Sequence, residues 1–167
     1  MFGGAHENER RPGTENVAAI AGMAAAAKWA LHDSGIERQR EAKLRDELWK
    51  RIAQLFPTAQ QNGGGTARLA NTLNVSFPGI DSETMLMALD LEGVGASSGS
   101  ACMVGSVVAS HVLLAMGMPA ERASSAIRFS LGKETTAEEI NGAADAIGRI
   151  IDRLAKMKTK REAYAVA

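Results

Sequence analysis

The sequence predicts an α+β fold in which helices pack on one face of a small sheet. Two helical segments come first, and strand-like and helical patterns then alternate, separated by long loops. Of the 167 residues, 46% are hydrophobic and only 4% aromatic, so the buried core must be largely aliphatic. Elements with one apolar side bury that side against each other, and this order is typical of helices layered on a sheet. The length suits one domain, or one domain plus a piece of another.

The first helix is expected from about Val17 to His32. Thr14 or Asn16 is the expected cap, since both side chains accept hydrogen bonds from free backbone N–H groups. Gly35 lies just beyond the expected end, where glycine is favoured. The polar segment before this helix has no periodicity.

A second helix is expected from about Ile36 to Phe56, and Pro57 ends it. One stripe is apolar and consists of Leu44, Leu48, Ile52 and Leu55. The other face has acidic residues four positions before basic ones, which pairs Glu41 with Arg45, Asp46 with Lys50, and Glu47 with Arg51, and it is interpreted as a solvated face. The glycine-containing stretch from Gln60 to Thr66 is interpreted as a turn or connector.

Two alternating patterns predict half-buried strands. Leu73, Val75 and Phe77 alternate with polar residues, and the pattern closes at Pro78 and Gly79. The second pattern alternates Ile127, Phe129 and Leu131 and leaves Arg128 and Ser130 on the opposite face.

The remaining elements are short, except for the last helix. We expect a helix from about Asp81 to Leu91, a short strand from Val94 to Ala96, a helix from Ser110 to Met116, and one turn opened by Pro119. A capping box at residues 136–139 begins the final helix, which is expected to end near Lys156. The basic end of the chain, residues 157–167, loses the helical period.

Composition and charge argue against several classes of protein. Nineteen basic residues balance nineteen acidic ones, so net charge gives no basis for nucleic-acid binding. The sequence has no apolar run long enough for a membrane span. The single cysteine cannot form an internal disulfide, so we expect a cytoplasmic protein, and the scattered histidines do not suggest a metal site.

The single cysteine, Cys102, lies in an unusual run, Ala-Ser-Ser-Gly-Ser-Ala-Cys-Met-Val-Gly-Ser, residues 96–106. A lone cysteine is more often a small buried hydrophobic residue. This run has neither helical nor strand period and is interpreted as a loop that can move. An accessible thiol of this kind becomes a nucleophile when a neighbour removes its proton or stabilises the thiolate.

The same run, read on through Ser110-His111-Val112-Leu113-Leu114-Ala115-Met116-Gly117, resembles the active-site loop of cysteine desulfurases of the NifS and IscS type. These are pyridoxal 5'-phosphate (PLP) enzymes that take sulfur from L-cysteine. The start of the chain is similar to the family motif Gly-Gly-x-x-Glu followed by Arg-x-Gly-Thr-Glu-Asn, matched by Gly3, Gly4, Glu7, Arg11 and residues 13–16. Glu9 departs from the pattern, because relatives usually carry glycine there. The resemblance covers Gly3 to about Leu154.

The resemblance implies the small C-terminal domain of a fold-type I PLP enzyme. Residues 1–45 would be the end of the large PLP-binding domain, residues 46–156 the small domain with the cysteine loop, and residues 157–167 a basic tail. The family's Schiff-base lysine lies in a His-Lys motif upstream of the Gly-Gly segment, and no lysine of this chain has that setting. We therefore expect a C-terminal portion that is inactive without an N-terminal PLP-binding half.

The resemblance also implies roles for three residues. Cys102 is the expected catalytic nucleophile, and Arg128 the expected ligand of the substrate α-carboxylate, although an arginine on a strand is more often a plain surface residue. Thr14 is expected to contact the PLP phosphate in the neighbouring subunit of a homodimer, although from sequence alone it is a helix cap. His111 begins an apolar helix and is not expected to act as the base for Cys102.

The implied activity converts L-cysteine to L-alanine and leaves a persulfide on Cys102. A sulfur-acceptor or scaffold protein would then receive the sulfur for iron-sulfur clusters or thio-modification. Two alternatives stay open: a non-catalytic sulfur-relay or partner-binding module, and a related PLP lyase or aminotransferase such as a selenocysteine lyase. Dependence of sulfur release on Cys102 distinguishes the desulfurase from the lyase.

Overall fold

The structure, a computed structural model, describes residues 3–4, 6–32, 34–98 and 109–165. In chain order the elements are α1 (Val17–His32), α2 (Ser34–Leu55), β1 (Gln60–Gln61), β2 (Thr72–Ser76), α3 (Ser82–Leu91), α4 (His111–Ala115), α5 (Ala120–Ser124), β3 (Ala126–Ser130) and α6 (Ala137–Ala165). The chain divides into two compact units, Met1–Glu37 and Arg38–Ala167. The expected domain division after residue 45 stays a prediction.

The first unit consists of a turn-rich segment followed by the start of the helical region. Asn16 caps α1, because its side-chain Oδ1 accepts a 3.0 Å hydrogen bond from the Ala19 N–H. All sixteen residues of α1 are exposed in this unit. Glu9, which replaces the glycine of the family motif, has a φ of 65°. This is the left-handed region, which glycine adopts without steric cost and other residues adopt less readily.

The second unit contains a three-stranded antiparallel sheet in the order β1-β2-β3. Leu73 pairs with Phe129 and Asn74 with Arg128 in the register of the two longer strands. The interpretation of residues 60–66 as a connector was wrong at its start, because Gln60 and Gln61 pair with the end of β2. A two-residue strand has no period of its own, so only its partner strand reveals it.

The core lies between one face of the sheet and three helices. The fully buried side chains come from α2, β2, α3, β3 and α6, and they include Ile52, Leu73, Met85, Leu89, Ile127 and Ile147. On the opposite face, Leu113 of α4 and Ala123 of α5 pack with Ala126 in a smaller cluster. The α+β architecture with helices packed on a small sheet is confirmed, with α2, α3 and α6 on one face and the short helices α4 and α5 on the other.

Two expectations about the bounds of elements were wrong. Residues 94–96 form no strand, and only a single bridge at Ser97 pairs with β3. The final helix continues to Ala165, because the basic end is rich in Lys, Arg, Glu and Ala, which favour helix without an apolar period.

The ion pairs expected along α2 are also replaced by contacts to other elements. Arg45 bonds to the adjacent Asp46 and to the carbonyls of Leu69 and Ala70, and Arg51 bonds to Asp145 of α6. Carbonyl oxygens and a carboxylate on neighbouring segments therefore outcompete the exposed i,i+4 partners, whose pairing energy is small.

The expected caps of two helices are confirmed. Thr136 and Glu139 form a reciprocal capping box, with bonds of 2.9 and 3.1 Å between each side chain and the other residue's N–H. Asp81 caps α3 and accepts from the Thr84 N–H at 2.8 Å and from its hydroxyl at 2.6 Å. Across the described ranges, no helix combines the length and apolarity needed to cross a bilayer.

The core assignment predicts opposite results for two leucines of α3. Leu89 is 0% exposed, whereas Leu91 is 83% exposed. Leu89→Ala leaves a cavity, so the free energy of unfolding is expected to fall by about 2–5 kcal/mol. Leu91→Ala is expected to change it by less than about 0.5 kcal/mol. Urea unfolding of the full chain measures both, and equal losses would contradict the core assignment.

The α3 cap predicts a pH dependence. The side-chain and backbone hydrogen bonds from Thr84 hold the pKa of Asp81 below its ordinary 3.8. The ionised carboxylate therefore stabilises the fold above pH 3.8, and this contribution is lost as the pH falls through the lower pKa of the folded state. Asp81→Ala is expected to cost about 1 kcal/mol at neutral pH.

Asp81→Asn is the matched control, because its amide oxygen still accepts from the Thr84 N–H but does not titrate. The stability difference between the native chain and Asp81→Asn is expected to shrink as the pH is lowered from neutral to below 3.8. A difference that stays constant in unfolding experiments across this range would show that the charge contributes nothing.

Candidate functional site

Arg128 is an exposed cation on a strand that is otherwise largely buried. Its neighbours Ile127 and Phe129 point into the core, and strand alternation places Arg128 on the opposite face. Within the part of the chain that the structure describes, no hydrogen bond or ion pair engages its guanidinium. A planar guanidinium presents two parallel N–H groups that match a carboxylate, so this side chain is available for an anion.

Backbone pairing joins Arg128 to the segment that leads to Cys102. Ser97 N–H donates to the Arg128 carbonyl at 3.0 Å, and Arg128 N–H donates to the Ser97 carbonyl at 2.7 Å. Paired residues of antiparallel strands point to the same face, so the half-buried Ser97 lies beside Arg128 on the face opposite the main core. Cys102 itself lies outside the described residues. Cys102 is the fourth residue after Ser98, and an extended chain of four residues spans at most about 14 Å.

Asn74 faces Arg128 from the other neighbouring strand. Both backbone groups of Arg128 bond to Ser97, and the Asn74 carbonyl accepts from the Asn62 N–H at 2.9 Å. Asn74 and Arg128 therefore form a non-hydrogen-bonded pair, the kind with Cα atoms about 4.5 Å apart and close side chains. Asn62, Asn74, Arg128 and Ser97 form a line across one face of the sheet, which we call the polar row.

A hydrogen-bond network holds one end of the polar row. The Asn62 amide nitrogen donates to Asn74 Oδ1 at 2.6 Å and to Ser76 Oγ at 2.9 Å. Asn62 Oδ1 accepts from Arg122 Nε at 3.1 Å and from Arg122 Nη2 at 2.7 Å. Ser76 Oγ donates in turn to the Arg122 carbonyl at 2.8 Å. Asn62 and Ser76 are buried, so these bonds fix the orientation of the network.

Thr14, the predicted phosphate contact, lies in the first unit. Its side chain is exposed, three residues before α1 begins. The neighbouring Arg11 is within 3.8 Å of Glu7 and 4.0 Å of Glu15, and its guanidinium also donates to the Gly13 carbonyl. The charge of Arg11 is therefore largely matched by carboxylates, whereas the Thr14 hydroxyl stays open to a ligand.

His111, the first residue of α4, is exposed. Among the described residues, no three His, Cys, Asp or Glu side chains are grouped closely enough to hold a metal ion. The lysines whose side chains are described are all exposed, and these are Lys28, Lys43, Lys50, Lys133 and Lys156.

A separate groove of about 530 Å³ runs along the end of β3, and its lining includes Gly95, Ser130 and Thr135 but not Arg128. Glu92 borders this groove. Hydrogen bonds from Arg149, reinforced by the charges of Arg149 and Arg153, lower the pKa of Glu92. This carboxylate is engaged in an ion pair between α3 and α6, so the groove offers no free catalytic acid or base at that point.

The polar row was only partly visible in the sequence. Alternation places Arg128 outward, but Asn74 reads as an ordinary polar position of a strand and Asn62 as part of a connector. The missing signal is the register, which determines that Asn74 and not Thr72 lies opposite Arg128.

Comparisons with known proteins identify one family for most of this chain. Residues 4–142 match the aminotransferase class-V family. The chain is 40% identical over 166 residues to the cysteine desulfurase IscS of Dictyoglomus turgidum, which covers 99% of this chain and 42% of that protein. It is 42% identical over 164 residues to the cysteine desulfurase IscS of Shewanella sp. strain ANA-3, covering 98% and 40%.

Among solved structures, a NifS-like protein from Rickettsia africae superimposes with a TM-score of 0.78 at 33% identity. The match covers 91% of this chain and 39% of that one. The chain thus spans about two fifths of the length of the curated relatives it matches.

Proposed function

Since this chain belongs to the class-V aminotransferase family, we propose that it is the C-terminal portion of a cysteine desulfurase, which transfers the sulfur of L-cysteine to Cys102 and releases L-alanine. Support comes from the relatives named as cysteine desulfurases and from one structural observation. That observation is that Arg128 exposes its guanidinium, while its backbone pairs with the backbone of Ser97 in the segment that leads to Cys102.

Arg128 binds the α-carboxylate of the substrate in this proposal. Two parallel N–H···O bonds fix both the position and the rotation of the carboxylate, which a lysine could not do with a single ammonium group. Orientation matters because the substrate sulfur must lie within reach of Cys102 Sγ for the transfer. The Ser97 bridge keeps the start of the cysteine segment beside the arginine that holds the substrate.

The sulfur transfer balances without an external oxidant. The Cys102 thiolate attacks the substrate sulfur, an S–S bond forms, and the bond from that sulfur to the substrate Cβ breaks. The electron pair of the broken bond stays on the carbon, which takes up a proton and leaves as part of L-alanine. Cys102 retains the transferred sulfur as a persulfide, which an acceptor thiol or scaffold protein then removes.

The residues of this chain fit part of a PLP site. PLP supplies an electron sink for bond cleavage in amino acids. The Thr14 hydroxyl, open and just ahead of the positive end of α1, suits one phosphate oxygen. In the proposed homodimer, Thr14 contacts the phosphate in the neighbouring subunit.

The Schiff-base lysine comes from a polypeptide segment outside these 167 residues. A Schiff-base lysine is activated by desolvation or by a nearby cation, and the exposure of all the lysines with described side chains supports this view. In this proposal residues 1–45 belong to the large PLP-binding domain and residues 46–156 to the small domain. The complete enzyme acts in the cytoplasm, where a persulfide-forming cysteine is kept reduced.

Mass spectrometry of the chain tests this proposal. The chain is incubated with L-cysteine, PLP and a polypeptide that carries the family's His-Lys segment. We expect one added sulfur atom on Cys102, removable by a thiol reductant and absent when PLP is omitted. Sulfur addition to Cys102 from a small-molecule persulfide donor, with none from L-cysteine in the complete mixture, would instead identify a sulfur relay.

A further inference from the structure

The polar row has unused hydrogen-bond donors, which suggest that a second residue binds the same anion as Arg128. Asn74 Oδ1 is occupied by the Asn62 amide nitrogen at 2.6 Å. Across the described ranges, the amide nitrogen of Asn74 has no acceptor, and the Arg128 guanidinium has none either. Two adjacent groups that only donate are satisfied together by an anionic oxygen acceptor.

The orientation of the Asn74 amide is set by its neighbours. Arg122 carries only donors, so the atom of Asn62 that receives its two bonds must be the oxygen. The Asn62 nitrogen must then face Asn74, and the Asn74 atom that accepts from it must be the oxygen. The remaining Asn74 nitrogen therefore points away from Asn62, on the face that Arg128 shares.

We propose that the Asn74 side-chain amide is a second donor to the substrate α-carboxylate, held in position by Asn62 and Arg122. This inference rests on the proposed function, since it places the same carboxylate on Arg128. Arg128 supplies the charge, and Asn74 selects the rotation of the carboxylate plane. Asn62 and Arg122 are positioning residues, because they act only through Asn74.

The test uses the full chain and L-alanine, which carries the α-carboxylate without a thiol. In NMR titrations, the side-chain N–H signals of Arg128 and Asn74 are expected to shift with a common dissociation constant. L-Alanine methyl ester, which lacks the carboxylate charge, is expected to shift neither signal. Asn74→Ala is expected to raise the dissociation constant about tenfold, as loss of one hydrogen bond to a charged group does.

Asn74→Asp separates a donor from a structural role. Aspartate keeps the oxygen that accepts from Asn62 but loses the donor and places a competing carboxylate beside Arg128, so L-alanine binding is expected to disappear while the core signals stay native. Thr72→Ala, two residues away on the same face, is the matched control and is expected to bind normally. Arg122→Ala is expected to weaken binding by about threefold, less than Asn74→Ala, because it removes only positioning.

The outcomes distinguish this inference from the proposed function. If Arg128→Ala abolishes the titration but Asn74→Ala and Asn74→Asp bind L-alanine normally, Asn74 is not a ligand, and the role of Arg128 stands. An Asn74 signal that does not shift overturns the inference in the same way. If the Arg128 signal also stays unchanged up to the highest L-alanine concentration that can be reached, the carboxylate site of the proposed function fails as well.

Discussion

Cys102→Ser is expected to abolish persulfide formation and to lower alanine release from L-cysteine by more than about 100-fold, because the hydroxyl cannot replace the thiolate that accepts sulfur. The assay uses this chain together with the polypeptide that supplies the Schiff-base lysine. Alanine release and the mass of the chain are followed in parallel.

Ser106→Ala is the control for this replacement, since it changes the same glycine-serine run without touching the thiol. It is expected to retain alanine release. If Cys102→Ser also retained sulfur release from cysteine, the chemistry would not need this thiol, and the related lyase would become the better interpretation.

Arg128→Ala is expected to raise the KM for L-cysteine by about 100-fold, because it removes two hydrogen bonds to a charged carboxylate. Arg128→Lys retains the charge without the planar fork and is expected to raise KM by about tenfold. The fold should tolerate both changes, since the side chain is exposed and no described residue depends on its guanidinium. Steady-state kinetics of the reconstituted enzyme over a range of cysteine concentrations measure the effect, and an unchanged KM in both variants would remove Arg128 from the substrate site.

Local patterns in the sequence were sufficient for most elements of the fold. The alternation of apolar and polar residues predicted β2 and β3 and predicted that Arg128 faces away from the core. The capping box at Thr136 predicted the start of α6. These features depend on residues within a few positions of one another, where side-chain period and capping chemistry are decisive.

Features set by distant pairing could not be predicted in the same way. β1 is defined only by its pairing with β2. Arg45 and Arg51 form hydrogen bonds with other segments and not with the acidic residues four positions before them. The opposition of Asn74 and Arg128 depends on register, which a single sequence does not display.

The residues of the candidate site show the same difference between what the sequence displays and what only distant contacts determine. Cys102, Arg128 and Thr14 were identified by resemblance to a family motif, and their roles stay predictions. The network of Asn62, Asn74 and Arg122 joins residues far apart in the chain, and no local pattern connects them. Only the folded chain shows that Arg122 bonds to Asn62 and that Asn62 bonds to Asn74, the residue opposite Arg128.

The most direct test of the central claim is alanine release by the purified chain with PLP and L-cysteine, measured alone and with the polypeptide that carries the His-Lys segment. We expect no turnover by the chain alone and turnover once the second polypeptide is present, with sulfur on Cys102. Turnover by the chain alone would contradict the assignment of the Schiff-base lysine to another segment. If neither assay released alanine, the proposed desulfurase activity would be contradicted.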